Sequence, residues 1–179
     1  MSMEHKAFVL DYGDFANQLS DILKTALVTD NDDNLVHFIE ANISSLKDPY
    51  EGEPLDSSWE DLVETKDAHS YGDFALTKFY DPASDIGLGY NWEAIENLLN
   101  DASSGLGSVI LGSPLGPANN YFDPGKMGSY FQTPSEVQKN LSLLENLVQQ
   151  KPELSAGLSG AIEMFQQAAE DGKGLYVTF

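Results

Sequence analysis

The 179-residue chain carries 29 acidic side chains against nine lysines and no arginine, a formal charge of −20, and it contains no cysteine. The missing thiols exclude disulfides, cysteine nucleophiles and thiolate metal sites. The missing guanidinium and the negative charge argue against phosphate, nucleic-acid and anionic-membrane partners and favour cationic ones.

No apolar run approaches the roughly 18 residues of a membrane helix. The opening MSMEHKAFVLDYGD lacks a signal-peptide pattern, so a cytoplasmic location is expected. Lys6–Leu10 (KAFVL) reads as a strand, preceded by His5 in a mobile N-terminus. Asp14 is expected to cap a helix lined by Phe15, Leu19, Ile22, Leu23 and Ala26. The following DNDDN has an EF-hand's opening but not its body: a loop beginning at Asp30 would place Leu35 where glycine is needed and Ala41 where glutamate is needed. Asp32 or Asp33 is therefore expected to cap a helix with Leu35, Phe38, Ile39, Ile43 and Leu46 on one side.

Lys47–Ser58, with two prolines and a glycine, reads as loop. Trp59–Glu64 reads as a helical turn with Trp59, Leu62 and Val63 inward. The alternation in Asp73–Tyr80 predicts an internal strand, and His69 falls in a polar loop before it. From Asn91 the spacing predicts a helix with Trp92, Ile95 and Leu99 on one face, stopped by Asp101–Gly105 and packed on the run LGSVILG. A Gly/Pro/Asn-rich crossing follows. Next, Thr133 as N-cap, Pro134 in the first turn and Glu136 three residues after the cap open the clearest helix in the chain, striped by Val137, Leu141, Leu144 and Val148. A last helix carries Leu154, Leu158, Ile162, Phe165 and Ala169, and Leu175–Phe179 closes as a strand. The order implies α+β: one compact domain over 1–179, with a small mixed sheet packed against several amphipathic helices.

The helix with Trp92, Ile95 and Leu98-Leu99, the run Gly107–Gly112, the sequence Gly128-Ser129-Tyr130-Phe131 leading into Thr133–Val137, and the tail Glu170–Phe179 resemble the YfbM-like bacterial family of unknown function (DUF1877). The resemblance is best over Tyr90–Phe179, and the acidic segment at about 31–89 is more divergent. It implies a compact α/β domain and brings no activity, cofactor or catalytic residue.

Catalytic motifs are not found. The glycines at 105, 107 and 112 have the wrong spacing for a dinucleotide loop, Gly125-Lys126 lacks the rest of a phosphate loop, and no Gly-x-Ser-x-Gly elbow occurs. His37 lies within an amphipathic helix. No catalytic, cofactor-binding or metal-ligating residue is therefore assigned, and an enzyme is not the expected reading. Eight acids between Asp48 and Asp67 face one lysine, Lys66. This pattern points to protein–protein contact with a basic partner through Glu51, Glu53, Glu60 and Asp61, an immunity-type inhibitor of a basic toxin being one form. The alternative is a small-molecule binder or enzyme. Its pocket would lie around residues 103–132 and His69, with Tyr121 and Phe122 between Pro117 and Pro124.

Overall fold

The computed structural model describes residues 3–179, and the chain divides into two units. The first comprises 1–10, 86–113 and 130–179; the second comprises 11–85 and 114–129. The fold class is α+β, as expected.

In the first unit a three-stranded sheet has the order β1 (Lys6–Leu10), β3 (Gly174–Thr178), β2 (Ser129–Gln132). β1 runs antiparallel to β3 with Phe8 opposite Tyr176. The closing strand is thus central and buried from Gly174 to Val177, which explains its near-continuous apolar run. Both edges are covered. Residues 86–89 bond along β1, with Ile86 N–H donating to Ala7 O at 2.8 Å and Gly89 N–H to His5 O at 3.0 Å. Ser113 exchanges bonds of 2.9 and 2.8 Å with Phe131. Such cover removes exposed strand edges that would pair with other chains.

Against the sheet pack α6 (Pro134–Gln150) and α7 (Ser155–Glu170), with α5 (Trp92–Ala102) on α7 and the 3-10 turn Leu106–Ile110 on α5. Trp92, Ile95 and Leu99 are buried as their spacing requires. The α6 start follows its sequence: Thr133 Oγ1 accepts from Glu136 N–H at 3.1 Å, and Glu136 Oε2 accepts from Thr133 N–H at 2.9 Å. Thr133→Ala is expected to lower stability by about 1 kcal/mol, measured as a shift in denaturation midpoint. On α7 the buried stripe is Leu158, Ala161, Met164, Phe165 and Ala168, rotated from the expected one. His5 is fully buried, not mobile: Nδ1 accepts from Leu88 N–H at 3.2 Å, and Nε2 lies 2.9 Å from Ile110 O.

The second unit is helical. The single helix expected from Asp14 is two, α1 (Tyr12–Gln18) and α2 (Ser20–Thr29), with the chain turning at Leu19. Asp14 lies in the first turn of α1 rather than at its cap. Then come α3 (Asp33–Ala41) and α4 (Ala68–Leu76), the latter packed on α2 and α3.

The strand expected at Asp73–Tyr80 does not form. Its first half completes α4, which starts where Asp67 Oδ1 accepts from Ser70 N–H at 2.9 Å. Gly72 allows the close packing: a Cβ there would lie 2.6 Å from Leu23 Cδ1 and 2.9 Å from Phe122 Cε2. Trp59 is buried against Tyr71 and Phe74, but Leu62 points outward, correcting its inward assignment.

Candidate functional site

The acidic stretch 48–67 has two populations. Asp48 is buried and accepts from the backbone N–H groups of Tyr50 and Glu51 at 2.8 and 3.2 Å, shaping the loop. Asp56 holds Ser58 through its N–H (2.8 Å) and hydroxyl (2.6 Å), and those bonds keep its carboxyl below the usual carboxylate range. Asp67 caps α4. These three acids are used by the fold. Glu51, Glu53 and Asp61 are exposed, and half-buried Glu60 lies 3.7 Å from Lys66.

Three-dimensional structure adds a second acidic group to this surface. Asp30, in a left-handed conformation (φ 56°), ends α2. Asn31 Oδ1 accepts from Asp33 N–H at 3.0 Å, so Asn31 serves the α3 start. Asp32 takes the N-cap position of α3, one of the two expected, but its side chain makes no capping bond, and its buried Oδ1 has no hydrogen-bond partner among the described residues. A cleft of about 520 Å³ opens here, lined by Asp30, Asp32, Asp33, Val36, Lys66 and Tyr71 with Asn31. Burial first, and then the neighbouring charges of Asp67, Asp30 and Asp33, push the Asp32 carboxyl up. The Tyr71 hydroxyl is also raised, by burial and then by Glu60, Asp32 and Asp67. The DNDD turn and the 60–67 segment therefore share one negative field. In the sequence the DNDD run reads as a failed calcium loop and a helix cap, and its pairing with the 60–67 segment does not show, although both runs are visible there.

Asp73 was also missed. It sits in α4 almost wholly buried, and burial pushes its carboxyl up to about 7, against a hydrogen bond from Tyr50 that favours the charged form. Tyr50 as a residue is 69% exposed while its hydroxyl faces Asp73, and that hydroxyl is pushed up first by burial and then by Asp73, Glu64 and Asp48. Tyr50 and outward Leu62 thus present apolar surface within the acidic segment.

His69 lies in the first turn of α4, not in a loop. Nδ1 accepts from Asp123 N–H at 3.0 Å, leaving the ring proton on Nε2, which lies 2.9 Å from Asn120 Oδ1. The ring stacks on Phe122 at 6.4 Å. Asn120 Nδ2 donates to Leu27 O at 2.9 Å, and Asp123 Oδ1 accepts from Gly128 N–H at 2.9 Å. Both His69 nitrogens are thereby committed to holding the crossing, an arrangement suited to a tether rather than a general base. Phe122 is fully buried and Tyr121 is 43% exposed. Of the residues 103–132 expected to form a pocket, 114–129 belong to the same unit as His69; 103–113 and 130–132 belong to the other.

Among the described residues no group of three or more His, Asp or Glu side chains is placed to hold a metal ion, and no helix is long and apolar enough to cross a membrane. No known protein family, curated protein or solved structure matches the chain.

Proposed function

We propose that this chain, read as a YfbM-like cytoplasmic protein, acts by protein–protein contact, its second unit offering an acidic surface to a basic partner. One observation carries the reading: that unit has nineteen acids and five lysines, and most of the acids have no cation beside them. Lys47 lies 3.4 Å from Asp81, and Lys66 lies beside Glu60. Lys78 is turned inward, donating to Gln18 Oε1 at 2.6 Å and Asn42 Oδ1 at 2.8 Å.

Uncompensated charge of one sign speeds encounter with the opposite sign and rejects like-charged competitors. Exposed Tyr50 and Leu62 supply the apolar contact such an interface needs at its centre, with Glu51, Glu53, Glu60 and Asp61 as its rim. An immunity-type inhibitor covering a basic toxin would have this design.

The test is capture of basic proteins from the source organism at low salt, followed by a salt step. The comparison is a variant with Glu51→Gln, Glu53→Gln, Glu60→Gln and Asp61→Asn. The expected result is a basic protein released by salt and bound roughly tenfold or more weakly by the variant, since each rim charge is worth up to about 1 kcal/mol. Salt-insensitive capture, or equal capture by the variant, would refute the reading.

A further inference from the structure

Within the second unit, Lys47 and Pro54 pair across a short antiparallel hairpin beside α4. Its base is pinned: Leu55 N–H donates to Leu46 O at 3.1 Å, Lys47 N–H donates to Thr77 Oγ1 at 3.0 Å, and Lys47 Nζ lies 3.4 Å from Asp81. Inside the hairpin, Asp48 N–H donates to Glu53 O at 2.8 Å and Gly52 N–H to Asp48 O at 2.9 Å. Asp48 Oδ1 accepts from the Tyr50 and Glu51 N–H groups. These bonds shape the tip without fastening it to the helix. What joins the tip to α4 is the Tyr50 hydroxyl, hydrogen-bonded to the Asp73 side chain.

Asp73 is a poor place for a fixed charge. It is 5% exposed, and among the described residues it forms no ion pair. Burial without a cation disfavours the carboxylate. The acids nearby make this worse: Asp48 reaches Asp73 from the hairpin itself, and Glu64 acts on the Tyr50 hydroxyl. Helices α2 and α3 and the Trp59 turn also pack on α4, and among the described residues none of their charged side chains acts on Asp73. The Tyr50 hydrogen bond favours the anion, but burial outweighs it and pushes the carboxyl up to about 7.

We propose that Tyr50 and Asp73 form a proton-operated latch: protonated Asp73 keeps the hairpin tip closed on α4, and ionised Asp73 lifts it. The direction follows from linkage. Closed, the carboxyl titrates at about 7; with the tip lifted, water reaches it and it returns toward the ordinary 3.8. The closed form binds the proton more tightly, so raising pH through that range favours the open form. A full return would raise the open-to-closed ratio about a hundredfold between about pH 5 and pH 8. The hairpin is the part that yields. Residues 71–76 of α4 are all buried, whereas 49–54 are exposed or half-buried, and like charge on Asp48 and Asp73 pushes on the hairpin itself. The tip carries Tyr50, Glu51 and Glu53 of the proposed acidic surface, but the latch needs no partner.

The test follows the full chain by NMR from about pH 5 to pH 8. The Asp73 Cγ carbon shift reports ionisation, and Overhauser contacts between the Tyr50 ring and Asp73 report closure. Asp73 is expected to titrate at about 7, with the ring contacts fading and the amide shifts of 50–53 moving at the same midpoint, while α6 stays constant. Asp73→Asn is expected to hold the tip closed at every pH. Asp48→Asn keeps the acceptor for the Tyr50 and Glu51 N–H groups but removes the hairpin's repelling charge, so both midpoints should move to lower pH together. Titration of Asp73 with unchanged ring contacts, tip movement that persists in Asp73→Asn, or shifts that move throughout the chain would overturn the proposal.

Discussion

Asp73→Asn is expected to stabilise the protein by on the order of 4 kcal/mol at about pH 8 and to leave it unchanged below about pH 4. The sign follows from the direction of the shift. Burial holds the folded-state carboxyl near 7, whereas the unfolded value is the ordinary 3.8. Below the unfolded value both states are protonated, and Asp73 contributes no difference. As pH rises the unfolded chain ionises first, so the native state falls behind until it too ionises near 7. Above that the deficit is constant. Asparagine keeps the acceptor facing the Tyr50 hydroxyl without the charge.

The measurement is urea denaturation of both proteins across this range, where the gap between them should open between about pH 4 and pH 7 and then level off. Tyr50→Phe supplies the counter-check. The Tyr50 hydrogen bond favours ionised Asp73, so its loss should move the upper limit of that window to higher pH. A gap that did not vary with pH would mean that Asp73 is ionised and solvated in the folded protein.

How much of this was legible in the sequence depended on whether a signal was local. The α6 start was, because Thr133, Pro134 and Glu136 act within one turn of chain. Helix α4 was not. Ala68 and every residue from Tyr71 to Leu76 are buried, so the helix shows no polar face, and a short stretch of it can be mistaken for alternation. Gly72 deepened the error, since it argues against a helix until Leu23 and Phe122 are seen against it.

His5 looked like part of a loose terminus because Ile110 O, its partner, lies 105 residues away. The candidate site was legible in part for the same reason. Glu51, Glu53 and Asp61 can be picked from composition, but the DNDD turn joins the 60–67 segment only through packing of α4 against α2 and α3. No sequence pattern shows which of 29 acids is buried, and Asp73 is that one above all.

Phe122→Ala is expected to lower stability by about 3–5 kcal/mol, because it empties a fully buried ring site against α4. His69→Ala should cost about 1–3 kcal/mol, by leaving Asp123 N–H and Asn120 without their partner. The double variant should lose less than the sum. Once Phe122 is gone the crossing is already slack, and His69 has less left to hold. Denaturation midpoints of the three variants give that coupling directly. The same proteins separate a tether from a functional histidine: a tether's loss shifts the midpoint and leaves the basic-partner affinity of the folded protein unchanged. An intact midpoint with lost binding would instead place His69 at the interface. The hydrogen bonds favour the tether, because a ring with both nitrogens bound within its own unit has no free edge to offer a partner.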